Sequence, residues 1–433
     1  MARGNAYRFA HFARGLNTAV GPYALREGYE DDPSGLGAEA RDLINVVSRR
    51  RGNVSRRDGC VNIAALSDQT ELITSLSVIG QDASSFAVCS TDDGRLIAID
   101  EADPGVVTQL VASGLSASAP WVFKRATVQA TTYGPAYGCN GIDTARETDG
   151  TGAGTGNWTA SSGTFPGASG KGGSLLEYHD NSFWISGVVT ASTFYDDAVY
   201  WSYPGDARNW PAENVVRFAP DDGSPITAIV SSGPYLVVFK ERGIWVIYDS
   251  SSGANRKVVD DAGTISPRSV VAGRDGVYFL DPQHGVMLFN GASVKKVSEQ
   301  LDLTFVDTPY ANKATASAAL WNGHYYLAFD DTYGQRVYDL DTDTGSWWRH
   351  STAVDNLAVW DRGAGPILVA STADTGNLWE LFKPGELYDD GVIFESYWQG
   401  PYHTFGDPDL RKRCREVHVD GRGTLSLFVN TDY

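Results

Sequence analysis

The sequence predicts an all-β fold, a β-propeller of six or seven four-stranded blades, and three observations carry that prediction. The first is a turn phrase that recurs along the chain: Ser90-x-Asp92-x-Gly94, Thr372-x-Asp374-x-Gly376 and, without the leading hydroxyl, Asp341-x-Asp343-x-Gly345. Each is followed at the same offset by a large apolar residue, Ile97, Trp379 or Trp348. In such a phrase Asp accepts backbone N–H bonds, Gly supplies a left-handed turn residue and the large side chain fills the space beside it. The second observation is spacing. Alternating apolar patterns open near residues 73, 118, 172, 225, 269, 317 and 357, and intervals of about 40 to 55 residues match one four-stranded blade. The third is composition: 47 Gly, 12 Trp, 21 Tyr and 17 Phe suit many short strands joined by turns, with rings filling the gaps between sheets.

Residues 1–57 are Arg-rich and read as an N-terminal arm with an opening strand, LINVV. Residues 58–391 form the propeller in this reading, and 392–433 a small C-terminal β element. The clearest hairpin pairs Tyr235–Phe239 with Ile244–Tyr248 across Glu241-Arg242-Gly243. DGVYFLDPQHGVMLFNG, HYYLAFDDTYGQRVYDLDTDTGSWW and ILVASTADTGNLWELF repeat the pattern. The stretch from 145 to 173, dominated by Gly, Ser and Thr, reads as a long excursion without strands.

Charge and motif content exclude several functions. A net charge of −18 opposes general nucleic-acid affinity, because phosphate binding needs clustered Lys and Arg. Arg49, Arg50, Arg51, Arg56 and Arg57 are a local exception, read either as a solvated hairpin or as a docking edge for an acidic neighbour. Cys60, Cys89, Cys139 and Cys414 contain no C-x-x-C pair, so neither zinc nor a disulfide framework is expected. No apolar run reaches membrane-spanning length and no secretion signal opens the chain, which reads as a soluble protein made in a reducing cytoplasm.

Candidate catalytic residues do not emerge. His11, His179, His284, His324, His350, His403 and His418 stand apart, without metal-ligand spacing. The chain has no G-x-S-x-G elbow, and GTGAGTGNW lacks the Lys-Ser/Thr ending of a phosphate loop. Asp339-Leu-Asp341-Thr-Asp343-Thr-Gly345 departs from a calcium loop, with Gly seventh instead of sixth and His350 twelfth where a Glu belongs. Asn157-Trp158-Thr159 fits a glycosylation sequon and reads as chance. No catalytic, metal or cofactor-binding residue is therefore assigned, and the protein is not expected to be an enzyme.

Two resemblances remain. The turn phrases are similar to the Asp-box turns of sialidases and related glycoside-processing propellers; Thr372 to Trp379 matches best, departing at Leu378. In those families the box is a structural turn, so the resemblance implies architecture alone. Three further stretches together resemble the propeller proteins of tailed-bacteriophage virions, the tail nozzle or tail-tip proteins. They are FARGLNTAVGPYALREGYEDD with EARDLINVVSRRRGNVSRRDGC; SLLEYHDNSFWISG through PITAIVSSGPYLVVFKERGIWVIY to GTISPRSVVAGRDGVYFLDPQHGVMLFNG; and KRCREVHVDGRGTLSLFVNTD. The resemblance implies a virion component that assembles as a ring around the DNA-ejection channel, beside other copies and neighbouring tail proteins. Arg49–Arg57 and the basic strand Arg411 to Arg415 would dock on neighbours, and an acidic channel surface would let DNA slide without sticking. The alternatives are a carbohydrate-binding or glycoside-processing propeller, with Trp201, Trp210, Trp347, Trp348 and Trp360 as candidate sugar-stacking faces, or a receptor-binding tail protein.

Overall fold

A computed structural model describes residues 12–21, 24–26, 38–48, 53–66, 71–80, 85–117, 119–126, 136–189, 194–372, 375–402, 423–424 and 426–429. Seven four-stranded antiparallel sheets follow one another around a ring. The first blade comprises Ile73–Ile79, Phe86–Thr91, Leu96–Asp100 and Val107–Val111. The second is Val122–Arg125, Ala136–Cys139, Arg146–Thr148 and Gly156–Asn157, and the third Leu175–His179, Ser182–Val189, Phe194–Trp201 and Val215–Arg217. The fourth is Ile226–Ser232, Tyr235–Lys240, Gly243–Asp249 and Ala254–Val259; the fifth Val271–Gly273, Gly276–Asp281, Gly285–Phe289 and Val294–Lys296. The sixth is Ser317–Trp321, His324–Asp331, Gly334–Asp341 and Trp347–His350. The seventh takes Asn356–Arg362, Gly365–Ser371 and Asn377–Leu381 from the end of the ring and its outer strand, Val61–Ala65, from the beginning.

Strand alternation explains why the ring holds. Successive side chains of a strand point to opposite faces, and here both faces of each blade are covered. Leu236 and Val238 enter the core shared with the third blade, while Val237 and Phe239 enter the core shared with the fifth. Seven buried clusters result, one at each junction between blades. The inner strands therefore read as almost continuous Val/Ile/Leu/Phe runs.

The turn phrases divide on inspection. In the third phrase the acceptor is not Asp343 but Asp341, at the position where the others carry a hydroxyl: it accepts from the N–H groups of Asp343 and Thr344 at 3.0 and 3.2 Å, with Gly345 at φ +71° and Trp348 buried behind it. Asp92 turns outward instead and accepts from Leu72 N–H at 2.8 Å, leaving Thr91 Oγ1 to take the N–H of Arg95. Gly376 does not have a positive φ; it is needed for space, since a Cβ there would lie 2.4 Å from the Glu71 carbonyl oxygen. Asp374 lies outside the described residues.

The Gly/Ser/Thr stretch departs from its reading as a structureless excursion. It supplies the two outer strands of the second blade, and Ser162–Gly163 then pairs in parallel with Asn209–Trp210. Trp158 anchors it, buried against Tyr137, Phe165, Phe183 and Trp210. Strands of two or three residues leave little periodicity to read. Two short helices, Asp302–Asp307 and Tyr310–Ala314, link the fifth and sixth blades.

The arm and the segment after the seventh blade form one structure. Asp42–Ile44 pairs antiparallel with Tyr397–Gln399, and Leu16, Ala40, Leu43 and Val46 pack into the core between the fifth and sixth blades.

Candidate functional site

The sequence marks no reacting group, and the surfaces open to a partner or ligand are the wall around the axis, the outer strand edges and the blade ends. The innermost strand of each blade packs against the first strand of the next to close a wall around the axis. Side chains bridge these strands. Ser75 and Ser77 Oγ accept the N–H groups of Trp121 and Phe123, each at 3.2 Å, and Lys124 pairs with Glu177 at 2.9 Å. His179 Nδ1 lies 2.8 Å from Ser231 Oγ, Leu357 N–H donates to Ser317 Oγ at 3.0 Å, and Trp360 Nε1 donates to Ser85 Oγ at 2.8 Å across the closing seam. Burial pushes His179 below its ordinary pKa. The wall strands carry Lys124, Arg125 and Arg362 against Glu177 and Asp361. The negative excess of the chain thus resides elsewhere.

The outermost strands have a different character. Across all seven, the charged residues are Arg217, Arg256, Lys257, Lys295, Lys296 and Arg349, with no Asp or Glu. All six fall on the third to sixth blades. Cations on exposed edges discourage sheet-to-sheet pairing. Several are neutralised: Arg217 by Asp197, Lys257 by Asp260, Lys296 by Asp302 and Arg349 by Asp42.

Of the N-terminal arginines, Arg49, Arg50 and Arg51 lie outside the described residues, as do the Arg411–Arg415 run and Cys414. Arg57 is neither a solvated nor a docking residue. Its side chain is 1% exposed, forks onto Asp389 and donates to Asn45 Oδ1 at 2.9 Å and Thr352 Oγ1 at 3.1 Å. Its guanidinium, like that of Arg56, stacks on Phe394 with 3.8 Å to the ring centre. These arginines hold the arm to the segment after the last blade.

Near Arg57 lies a cluster of titratable side chains. Asp339 is buried between His324, whose Nδ1 is 2.7 Å away, and His350, whose Nε2 is 3.6 Å away. Burial disfavours charge on all three. For Asp339 the hydrogen bonds and charges of the histidines outweigh that and lower its pKa; for His324 the bond to Asp339 does the same and raises it. His350 is fully enclosed and near Arg57, so its pKa is lowered despite Asp339. His284, half-exposed, is held through Nδ1 by Asp281 at 2.9 Å. Among the described residues no group of three or more His, Cys, Asp or Glu is arranged to hold a metal ion. His11, His403 and His418 lie outside them. The thiols of Cys60, Cys89 and Cys139 are buried and unpaired, and desolvation pushes each up to about 12.

The five tryptophans considered as sugar faces are all core. Trp201, Trp210, Trp347, Trp348 and Trp360 are each 3% exposed or less. Trp347 even spends its indole N–H on the Val297 carbonyl at 2.9 Å. Among the described residues, large apolar side chains that do face solvent include Tyr235 and Tyr248 on the fourth blade and Leu387, Tyr388, Val392 and Ile393 in the segment after the seventh. Two clefts open between the fourth and fifth blades. One, of about 380 Å³, is lined by Tyr235, Val246, Tyr248, Arg256 and Gly291. The other, of about 470 Å³, runs past Asp260, Asp261, His284, Met287 and Ser293. No sequence signal marked either, because exposure at a blade end depends on where the neighbouring blade stops.

No protein-family model matches the chain, and no curated protein matches it. Among solved structures the chain is similar to the computationally designed Ika8 protein. The likeness covers 75% of this chain and 100% of the designed one, at 15% identity and a TM-score of 0.44.

Proposed function

We propose that this protein is a structural component of a bacteriophage tail, at the nozzle or distal tip, where several copies form a ring around the DNA-ejection channel. The observation that carries the reading is the clasp of arm and post-propeller segment on the outside of a side-chain-tied, seven-bladed body. Such a body resists deformation, and Asp389 of the clasp is flanked by exposed apolar residues, Leu387, Tyr388, Val392 and Ile393, of the kind that interfaces use. The in-order similarity of three sequence stretches to tail propellers supports the same role. In this reading the protein is made in the host cytoplasm, works in the virion, and contacts other copies and adjacent tail proteins. A net charge of −18 opposes adhesion of passing DNA to the protein as a whole. The test is mass photometry of the purified chain, alone and co-expressed with the tail proteins of its phage, followed by cryo-EM of the particle. Discrete closed oligomers or a ring in the tail are expected. A monomer that joins no tail protein would overturn the reading.

A further inference from the structure

We propose that the gap between the fourth and fifth blades binds an acidic oligosaccharide, with Tyr235 and Tyr248 as the stacking platform and Arg256 as the carboxylate reader. This goes beyond the assembly role and does not depend on it. Tyr235 and Tyr248 extend by one step the antiparallel pair Leu236↔Ile247, and they line the same cleft at 40% and 55% exposure. Two adjacent rings that could have been buried, as the tryptophans are, instead face solvent. A tyrosine ring offers a flat apolar face to pyranose C–H groups and a hydroxyl to their O–H groups, at low entropic cost. Arg256, paired with Val246 in the register, closes the third side of the cleft.

Charge selects the ligand class. Arg256 is exposed and has no ion-pair partner among the described residues. In a strongly acidic protein this is an unneutralised cation beside two exposed rings, and a guanidinium reads a carboxylate through two parallel hydrogen bonds. Farther along the same gap, Asp260, Asp261, Ser293 and the half-exposed His284 present acceptors and donors suited to sugar hydroxyls. Both clefts have volumes typical of ligand sites. The geometry thus gives two subsites, one for a carboxylated ring and one for a neutral, hydroxyl-rich ring.

The experiment is isothermal titration calorimetry on the full chain at low salt with three probes: a hyaluronan tetrasaccharide, an α2,8-linked sialic acid trimer and neutral chitotetraose. At least one acidic probe is expected to bind, with chitotetraose weaker by about tenfold or more. Tyr248→Ala and Arg256→Ala should each weaken the acidic probe by about tenfold, with Arg256→Lys recovering part of the loss; both side chains are exposed, so thermal melting should be unchanged. No binding of either acidic probe, equal binding of chitotetraose, or unaltered affinity in both alanine variants would overturn the proposal. Mass photometry of the same samples reads assembly separately, so either proposal can fail alone.

Discussion

Arg57 and Asp389, 332 residues apart in the chain, meet as a two-bond fork with Nη2–Oδ2 at 2.6 Å and Nη1–Oδ1 at 2.9 Å. Asp389 also accepts the Cys60 N–H at 3.0 Å, so one carboxylate holds both the arginine and the backbone where the arm turns into the ring. Asp389→Ala would leave a buried guanidinium with only neutral acceptors, an imbalance worth about 3 kcal/mol. Asp389→Asn, which keeps an acceptor, should cost less. Urea unfolding of the three proteins checks the order, and limited proteolysis should cut the alanine variant first within residues 38–57.

Gly15 gives the arm its second anchor. Leu16 N–H donates to the Trp347 carbonyl at 2.7 Å, and Gly15, at φ +74°, lies so close that a Cβ would be 2.3 Å from that oxygen. Gly15→Ala therefore has neither the space nor the backbone angle it needs. The expected result is faster amide exchange at residues 12–21 with exchange in the fourth blade unchanged.

Histidines around Asp339 should give the sixth blade a pH optimum. His324 has a raised pKa, so its contribution is complete below the unfolded value of about 6.5 and fades as pH rises through the folded value. His350 has a lowered pKa, so its contribution is complete above about 6.5 and fades as pH falls through the folded value. The charges of Arg57, Asp341 and Asp343 also act on the group. The stability difference between wild type and His350→Gln should shrink on the acid side, and that for His324→Gln on the alkaline side. Neither slope should exceed about 1.4 kcal/mol per pH unit. Urea titrations from pH 5 to 8 decide it.

Lys240 and Asp222 should respond asymmetrically to removal. The Lys240 side chain is 0% exposed and reaches Asp222 at 2.7 Å, while Asp222 is 37% exposed. Asp222→Ala strands a buried ammonium beside the Ala219 carbonyl at 3.4 Å, whereas Lys240→Met leaves only a solvated carboxylate. The first should cost about 3 kcal/mol and the second under about 1.5. Equal losses in urea unfolding would show that the pair acts as a unit.

The same distinction, local against distant, separates what was legible in the sequence from what was not. The blade openings near 73, 225, 317 and 357 coincide with strands starting at Ile73, Ile226, Ser317 and Asn356, because inner strands buried on both faces carry long apolar runs. The hairpin at Glu241-Arg242 was legible for the same reason. Arg57 was not, since a basic run looks solvated until Asp389 is brought to it. The tryptophans resisted in the opposite sense: a large ring suits a core or a sugar equally well, and only the neighbouring blade decides. Tyr235 and Tyr248 were assigned to their strands, yet their exposure arises from the blade ends and not from the alternation.

Closure of the ring rests on Val61–Ala65, a strand far in sequence from its partner, and its face alternation makes a sharp test. Ala64 is 5% exposed and enters the core between the seventh and first blades beside Ile97, Ile99 and Leu378, while the next residue, Ala65, faces solvent. Ala64→Glu places a carboxylate in that core without a partner, at a cost of about 3 kcal/mol or more. Ala65→Glu keeps the charge in water and should be nearly neutral. If the outer strand closes the propeller, Ala64→Glu will raise amide exchange in both Val61–Ala65 and Asn377–Leu381, because Leu378 pairs with Ala64 and loses its ladder partner. Exchange confined to residues 61–65 would instead mean that three strands of the seventh blade stand unaided. The N-terminal strand would then serve to anchor the arm, and the clasp at Arg57 would be the chief tie between the arm and the segment after the last blade.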